Sequence, residues 1–377
     1  MRVLVLDTIH GGSVLAEALV RHGDDVDAVD VYRGKMMSAD DAEKRKYDII
    51  TAPVHLDPDH PLVSVPGTHL THHQMTARLL PPCSARIIEI TGARGKTTTA
   101  FAVASVLPGK TILHTSAGTF VYPEKRLLFK KSITPASLLF AVSAANAEGA
   151  DWIVAEESLG VCGTGDIGIL TSDADYRIAA GKKSALSAKL KSLAACKTLL
   201  VPDSLPVDGA HTPEKLVIRD GCRFSTKTCG SFENRLAEVP GYADALSFAA
   251  AAAVLLHLDV TPLARFTGCE GRMIFSVKDG VPVLDNANSG TNRDNIIAAA
   301  AYLKTKTGKP YILVTGSSAH TVCEGLSDAD IEETVYRTSP ASVIRADGRD
   351  VEELMNEAVS AAKKQDCAVL FCVKTWR

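Results

Sequence analysis

The stretch IIEITGARGKTTTA, Ile87 to Ala100, constrains this chain more than any other. Its apolar start reads as a buried strand, Gly92 and Gly95 make a turn, and Lys96 with three threonines opens a helix. A strand that passes through a glycine turn into a helix aims several backbone N–H groups at one point. The helix N-terminus adds about half a positive charge there. Such a point is a seat for phosphate. Lys96 brings a full charge to bridge β- and γ-phosphates, and the Thr97 hydroxyl can ligate Mg²⁺. The complete G-x-x-x-x-G-K-[ST] pattern needs glycine at position 90, where Ile90 stands, so the loop is a shortened G-x-x-G-K-T-T-T. The reading is a nucleotide site built from Gly92, Ala93, Arg94, Gly95, Lys96, Thr97 and Thr98.

Around this motif, strand-like and helix-like runs alternate almost throughout, which predicts an α/β fold of parallel sheets covered by helices. At 377 residues the chain exceeds one ordinary core. RVLVLD, DVDAVDV and YDIITAP are strands of a first block, with a helix from near Gly12. A proline-rich irregular segment and LLPPC close that block, and the boundaries expected are 1–82, 83–262 and 263–377. The second block has IIEIT, TILHT, DWIVAE, DIGILT, KTLLVP and KLVIR as buried strands, then an alanine-rich helix from Gly241 to about Leu258. The third has VPVLDN, PYILVTG, SVIRA and CAVLFCV.

Composition narrows the function classes. A net charge of −3 gives no surplus of cations for a nucleic-acid backbone, so no nucleic-acid partner is expected. The longest apolar stretch, FAAAAAVLLHL, is far short of a membrane span, and MRVLVLD suits a first buried strand better than a signal peptide. Nine cysteines, odd in number and without a C-x-x-C pair, read as reduced thiols in a cytoplasmic protein rather than a disulfide framework or zinc site. No obligatory protein partner is evident.

ITGARGKTTT resembles the phosphate loop of the Mur ligase superfamily, ATP-dependent ligases that include folylpolyglutamate synthetase. The resemblance implies three domains: Rossmann-like and substrate-binding, central and ATP-binding with a parallel sheet, and a C-terminal α/β domain. SITPASLL is similar to the family's T-T-P segment, with Thr134 and Pro135 retained. DWIVAEESLG is similar to the strand ending in the metal-binding glutamate, which puts Glu156 in that role and Ser158 at the following serine; otherwise the pair is an exposed end of a strand. In ILTSDADYR, Asp175 stands for the aspartate of the family's D-H pair and Tyr176 occupies the slot of the histidine that reaches a metal. A protonated phenol is a poor Mg²⁺ ligand, which leaves Asp173 or Asp175 for the ion. SALSAKL resembles the stretch whose lysine is carbamylated, so Lys189 is a candidate carbamylated lysine. GYADALSFAAAAAV resembles the helix that meets adenine and phosphates, with Asp244 and Ser247 at its polar positions. GCEGRM and VLDNANSGTN match the linker and loop that put Arg272 and Asp285 against the nucleotide.

The family chemistry implied is transfer of the γ-phosphoryl of ATP, with Mg²⁺, to a substrate carboxylate, giving an acyl phosphate that a nucleophile then attacks. Lys96, Glu156 and Lys189 are the implied catalytic residues; Thr97, Glu156 and Asp175 are the implied metal ligands. GSSAHTVCEG replaces the glycine- and arginine-rich stretch with which peptide-forming members meet an amino acid. Together with the short length, TSDADY and DNANSGTN, this is similar to a branch whose substrate carries its own nucleophile. That branch is implied to activate a propionate of a nickel tetrapyrrole, whose ring carbon then closes a carbocycle. An amide-forming ligase that adds an amino acid to an acidic substrate is the alternative. Two local features stay open. His69, His72 and His73 in THLTHHQM could share a helix face toward nickel, or be solvated loop residues. Gly11 and Gly12 could approach a ligand, or make an ordinary strand-to-helix turn.

Overall fold

The computed structural model describes residues 1–34, 36–320 and 325–376. The chain forms two compact units, Met1–Glu233 with Asp244–Ala264, and Asn234–Ala243 with Arg265–Arg377.

The first unit contains two parallel-stranded sheets. One has four strands in the order Asp25–Val29, Arg2–Leu6, Ile49–Ala52, Thr68–Thr71, all parallel. Val3, Leu4, Val5 and Leu6 are all buried, as befits a strand covered on both faces. The turn that follows needs its glycines. Gly11 has φ 95° and a Cβ there would sit 2.7 Å from Thr134 Oγ1, while a Cβ on Gly12 would lie 1.6 Å from the Asp7 carbonyl oxygen. The helix Gly12–His22 starts from this turn. The strand-to-helix reading of the two glycines therefore holds, with a packing reason attached.

The other sheet has seven strands in the order Thr198–Leu200, Ile167–Leu170, Arg86–Thr91, Trp152–Glu156, Thr111–Thr115, Gly118–Tyr122, Arg126–Phe129. The first five run parallel and the last two are added antiparallel. Strand Arg86–Thr91 lies between Ile167–Leu170 and Trp152–Glu156. The connection after Arg86–Thr91 runs to one side, toward Thr111–Thr115, and that after the adjacent Ile167–Leu170 to the other, toward Thr198–Leu200. Such a reversal is where open α/β sheets bind ligands. The alanine-rich helix runs Tyr242–Leu255, and Ala249 to Ala253 are buried, so small side chains permit close packing.

Two expectations fail here. KLVIR is not a buried strand of the main sheet. Val217–Asp220 pairs antiparallel with Arg223–Thr226 in a separate three-stranded sheet, and Ile218 is 67% exposed. Nor are the three histidines of THLTHHQM solvated loop residues, or a set sharing one helix face. His69 lies on strand Thr68–Thr71, whereas His72 and His73 open the helix His72–Leu79 and are buried. A capping box between Thr71 and Gln74 starts the helix at that point and draws both imidazoles inward.

The second unit has a five-stranded sheet in the order Ile274–Lys278, Val281–Asp285, Ala368–Lys374, Tyr311–Ser317, Ser342–Arg345. An antiparallel hairpin forms one edge, and the remaining pairs are parallel. Val283, Ile312, Val314, Leu354 and Phe371 form its core, covered by the helix Val351–Gln365. Of GSSAHTVCEG, residues 321–324 lie outside the described residues. Among the described residues no helix is long and apolar enough to cross a membrane.

Candidate active site

The phosphate loop forms as a strand–turn–helix. Gly95 has φ 81° and is the N-cap of the helix Lys96–Val106, with no side chain capping it. A helix start without a side-chain cap is a place where the backbone can receive an anion. Gly92 has φ 154°, and a Cβ on it would lie 2.2 Å from Thr171 Oγ1. That hydroxyl donates to the Arg94 carbonyl at 2.6 Å, so the neighbouring strand's end braces the loop from outside. Nothing in the local sequence flags Thr171 for this task, because it comes from a strand that is distant in the chain.

Beside the loop lies a compact oxygen cluster. Thr97 Oγ1 donates to Glu156 Oε2 at 2.8 Å and meets Ser116 Oγ at 3.2 Å, while the Ser116 N–H donates to the same carboxylate oxygen at 3.0 Å. Lys96 Nζ is 3.1 Å from the Gly92 carbonyl and 3.8 Å from Glu156 Oε1. The carboxylate, the hydroxyls and the ammonium all belong to the first unit, and Glu156 is buried. Hard oxygen donors at hydrogen-bond separation are the donor set that Mg²⁺ takes, so the residues present fit that ion. Ser116 was not foreseen; it follows strand Thr111–Thr115 without any spacing signal.

The two glutamates that end this strand are both buried, which removes the reading of an exposed pair. Glu156 faces Thr97. Glu157 turns the other way, toward Glu89 and Cys162, and its Oε2 accepts from the Cys162 N–H at 3.1 Å. Burial first, and then the Glu89 carboxylate, push the Glu157 carboxyl well above the usual range. Glu89 in turn accepts from the Gly165 N–H at 2.8 Å. Ser158 donates its N–H to the Ile133 carbonyl, and its own carbonyl lies 3.0 Å from His73 Nε2.

Lys189 sits in the helix Ala185–Leu193, only 1% exposed, and its Nζ has no hydrogen-bond partner. The amine lies 4.5 Å from the centre of the Tyr176 ring. Burial, then the Lys96 charge, lower its ammonium to about 8, with Asp175 opposing. Asp175 is exposed. Its Oδ1 accepts the Leu186 and Tyr176 N–H groups, at 2.9 and 2.8 Å, so this oxygen helps fix the start of the lysine's helix. Backbone N–H groups hold its carboxyl below the ordinary value.

Asp244 and Ser247 line a cavity of about 650 Å³ with Arg94, Thr171, Ser172 and Phe248. Arg272 and Asp285 belong to the second unit. There Arg272 Nη1 donates to Asn288 Oδ1, the Tyr242 hydroxyl donates to the Arg272 carbonyl at 2.6 Å, and Asp285 Oδ1 accepts the Ala287 N–H at 3.0 Å. The asparagine-rich turn thus positions the arginine instead of being a bare reversal of the chain.

Comparison with known proteins shows the family and the fold. Residues 275–375 match the family model "Coenzyme F430 synthetase CfbE, C-terminal domain". A coenzyme F(430) synthetase from Methanosarcina acetivorans is 32% identical, over 88% of this chain and 86% of that protein. Another, from Methanocaldococcus jannaschii, is 29% identical over 51% and 49%. In fold, the chain is similar to folylpolyglutamate synthase from Thermotoga maritima, with TM-score 0.58, 14% identity, and 81% and 90% of the two chains covered. It is also similar to the UDP-N-acetylmuramoylalanyl-D-glutamyl-2,6-diaminopimelate–D-alanyl-D-alanyl ligase of Acinetobacter baumannii, at 0.54, 12%, and 87% and 81%. The α/β fold is therefore that of the Mur-type ligases, and on the similarity to the Methanosarcina protein the chain belongs to the coenzyme F(430) synthetase family, as an ATP-dependent ligase.

Proposed function

We propose that this enzyme activates a carboxylate of a nickel tetrapyrrole as an acyl phosphate and closes a carbocyclic ring on it. A carboxylate oxygen attacks the γ-phosphorus of ATP, the β–γ bridging P–O bond breaks, and ADP leaves. A ring carbon of the same macrocycle, losing its proton, then attacks the acyl carbon, and phosphate departs. Because nucleophile and acyl group are held in one molecule, no third substrate is needed and the proximity advantage is large. The observation that carries the reading is the Thr97–Glu156–Ser116 cluster beside an uncapped helix start that carries Lys96.

Within it, Gly92 to Thr98 hold the phosphates and Lys96 neutralises charge gathering on the transferred group. Thr97, Glu156 and Asp175 are the residues we assign to Mg²⁺, which supplies Lewis-acid charge stabilisation at the phosphates when bound. Asp244 and Ser247 in the first unit, and Arg272 and Asp285 in the second, are the residues we assign to nucleotide binding. We retain a functional division into three domains, at 1–82, 83–262 and 263–377. Lys189 we assign as a carbamylation site: burial favours its neutral amine, the form that adds CO₂. The Tyr176 ring face, which attracts the ammonium, must turn away from a carbamate. Release of label from the protein after incubation with carbon-13 bicarbonate, absent in Lys189→Ala, checks this assignment.

The central test measures ADP while the nickel seco-acid precursor is added. ADP and ring-closed product should form together, and Lys96→Ala should lose about 10²-fold or more of kcat. ADP release that requires an added amino acid instead identifies an amide-forming ligase. Equal ADP production by Lys96→Ala removes the reading altogether.

A further inference from the structure

A second group of side chains gathers at the carboxyl ends of the four-stranded sheet. Asp7 follows strand Arg2–Leu6 directly, is fully buried, and holds φ 77°. A non-glycine residue in the left-handed region is uncommon, and persists where its surroundings dictate it. Here the reward is visible. Asp7 Oδ1 accepts the Ile9 N–H at 2.7 Å, and Oδ2 lies 2.7 Å from His10 Nδ1. His55 comes three residues after strand Ile49–Ala52. Its ring meets His10 edge-on at 4.7 Å and lies parallel to Tyr32 at 6.0 Å. Ligand atoms of Asp7, His10 and His55 all lie within 4.8 Å of one another.

A carboxylate that takes Nδ1 of an imidazole fixes the ring and leaves Nε2 for a metal, the arrangement that surrounds most histidine ligands. The His10 side chain is half-exposed, whereas the Asp7 carboxylate that holds its Nδ1 is closed off. We propose that His10 Nε2 is the axial ligand to the metal centre of a metallo-tetrapyrrole docked at this edge, with Asp7 orienting the ring and His55 and Tyr32 forming its wall. The identity of the metal-bearing ligand rests on the ring-closing reading above; the ligand site itself rests on the cluster.

Charge decides between a free ion and a metal already held in a macrocycle. The one carboxylate of the cluster, Asp7, is engaged by His10; beyond it Arg33, Lys183 and the Asp30 carboxylate act electrostatically on the imidazoles, two cations against one further anion. A bare dication would meet a cluster whose own carboxylate is already engaged, with two cations and one further carboxylate in reach. A metal inside a carboxylated macrocycle brings its own negative charge, and the same two cations then attract it. The edge also adjoins the phosphate-transfer machinery. Gly11, one residue beyond His10, abuts Thr134, and the Ile133 carbonyl accepts from Ser158, two residues after Glu156.

The test titrates the nickel seco-acid precursor with protein in the absence of ATP and follows its visible spectrum. Wild-type protein and Lys96→Ala should both shift the spectrum. His10→Ala should abolish the shift and weaken binding by more than about tenfold, and His10→Gly should recover it when imidazole is added. Unaltered ATP binding by the His10 variants checks that they are folded. A spectral shift that survives His10→Ala overturns the proposal, even if precursor-dependent ADP formation stands. His10-dependent binding of NiCl₂ alone, tighter than that of the macrocycle, also overturns it, in favour of a resident ion. If the precursor shifts the spectrum through His10 but yields no ADP, the ring-closing reading fails and the ligand site remains.

Discussion

Gly92 shows how narrowly one position can be specified. Its φ of 154° lies where side chains are disfavoured, and the space a Cβ would fill already contains the Thr171 hydroxyl. Gly92→Ala should therefore destabilise the protein by about 1–3 kcal/mol and weaken ATP binding, measured by thermal unfolding with and without nucleotide. Combining it with Thr171→Ala removes the collision but not the dihedral strain, so recovery should be partial. Full recovery would assign the whole effect to the hydroxyl. The glycines themselves were readable in the sequence, since a strand–glycine–lysine–threonine order has a local physical cause. Thr171 and Ser116 were not, because each arrives at the loop through sheet pairing that no local pattern encodes.

At the scale of elements, the buried carboxylates of Glu89 and Glu157 tie two adjacent strands to the loop that follows the second. Glu89 collects N–H groups of that loop, and Glu157 takes the Cys162 N–H. Glu157 is raised well above the ordinary glutamate range by burial. A group raised on folding contributes its full stability below the unfolded value, and loses it as pH climbs through the folded one. Stability should thus decline from mildly acidic toward alkaline pH through this residue. Glu157→Gln keeps a neutral side chain of the same shape, so its unfolding midpoint should change less over that interval. A parallel decline in both proteins would remove Glu157 as the source. Parallel strands were legible as continuous apolar runs. Gly118–Tyr122 and Arg126–Phe129 were missed since an edge hairpin carries charge and glycine, and KLVIR misled because Val217 is buried but Ile218 faces outward in a small separate sheet.

Across the whole molecule, the second unit borrows a segment. Asn234–Ala243 precedes a return of the chain to the first unit, yet Asn234 Nδ2 donates to the Phe266 carbonyl and the Tyr242 hydroxyl to that of Arg272, at 2.9 and 2.6 Å. Tyr242→Phe removes that hydrogen bond and should cost about 1–2 kcal/mol in denaturant unfolding. A fragment spanning 265–377 should be less stable than the same fragment supplied with 234–243 as a peptide; no difference would show that the segment is dispensable. The sequence marked a third block at 263, but could not show that ten residues upstream pack with it, because such contacts are long-range.

The solitary amine of Lys189 has a thermodynamic corollary. A buried nitrogen with no hydrogen-bond partner raises the free energy of the resting form, so whatever finally bonds to it, be it an added carboxyl or a phosphate oxygen, relieves a tension already present. Loading should accordingly slow amide exchange along Ala185–Leu193 more than contact alone explains, and replacing the lysine by methionine should give a protein that is sturdier when empty and indifferent to its cargo.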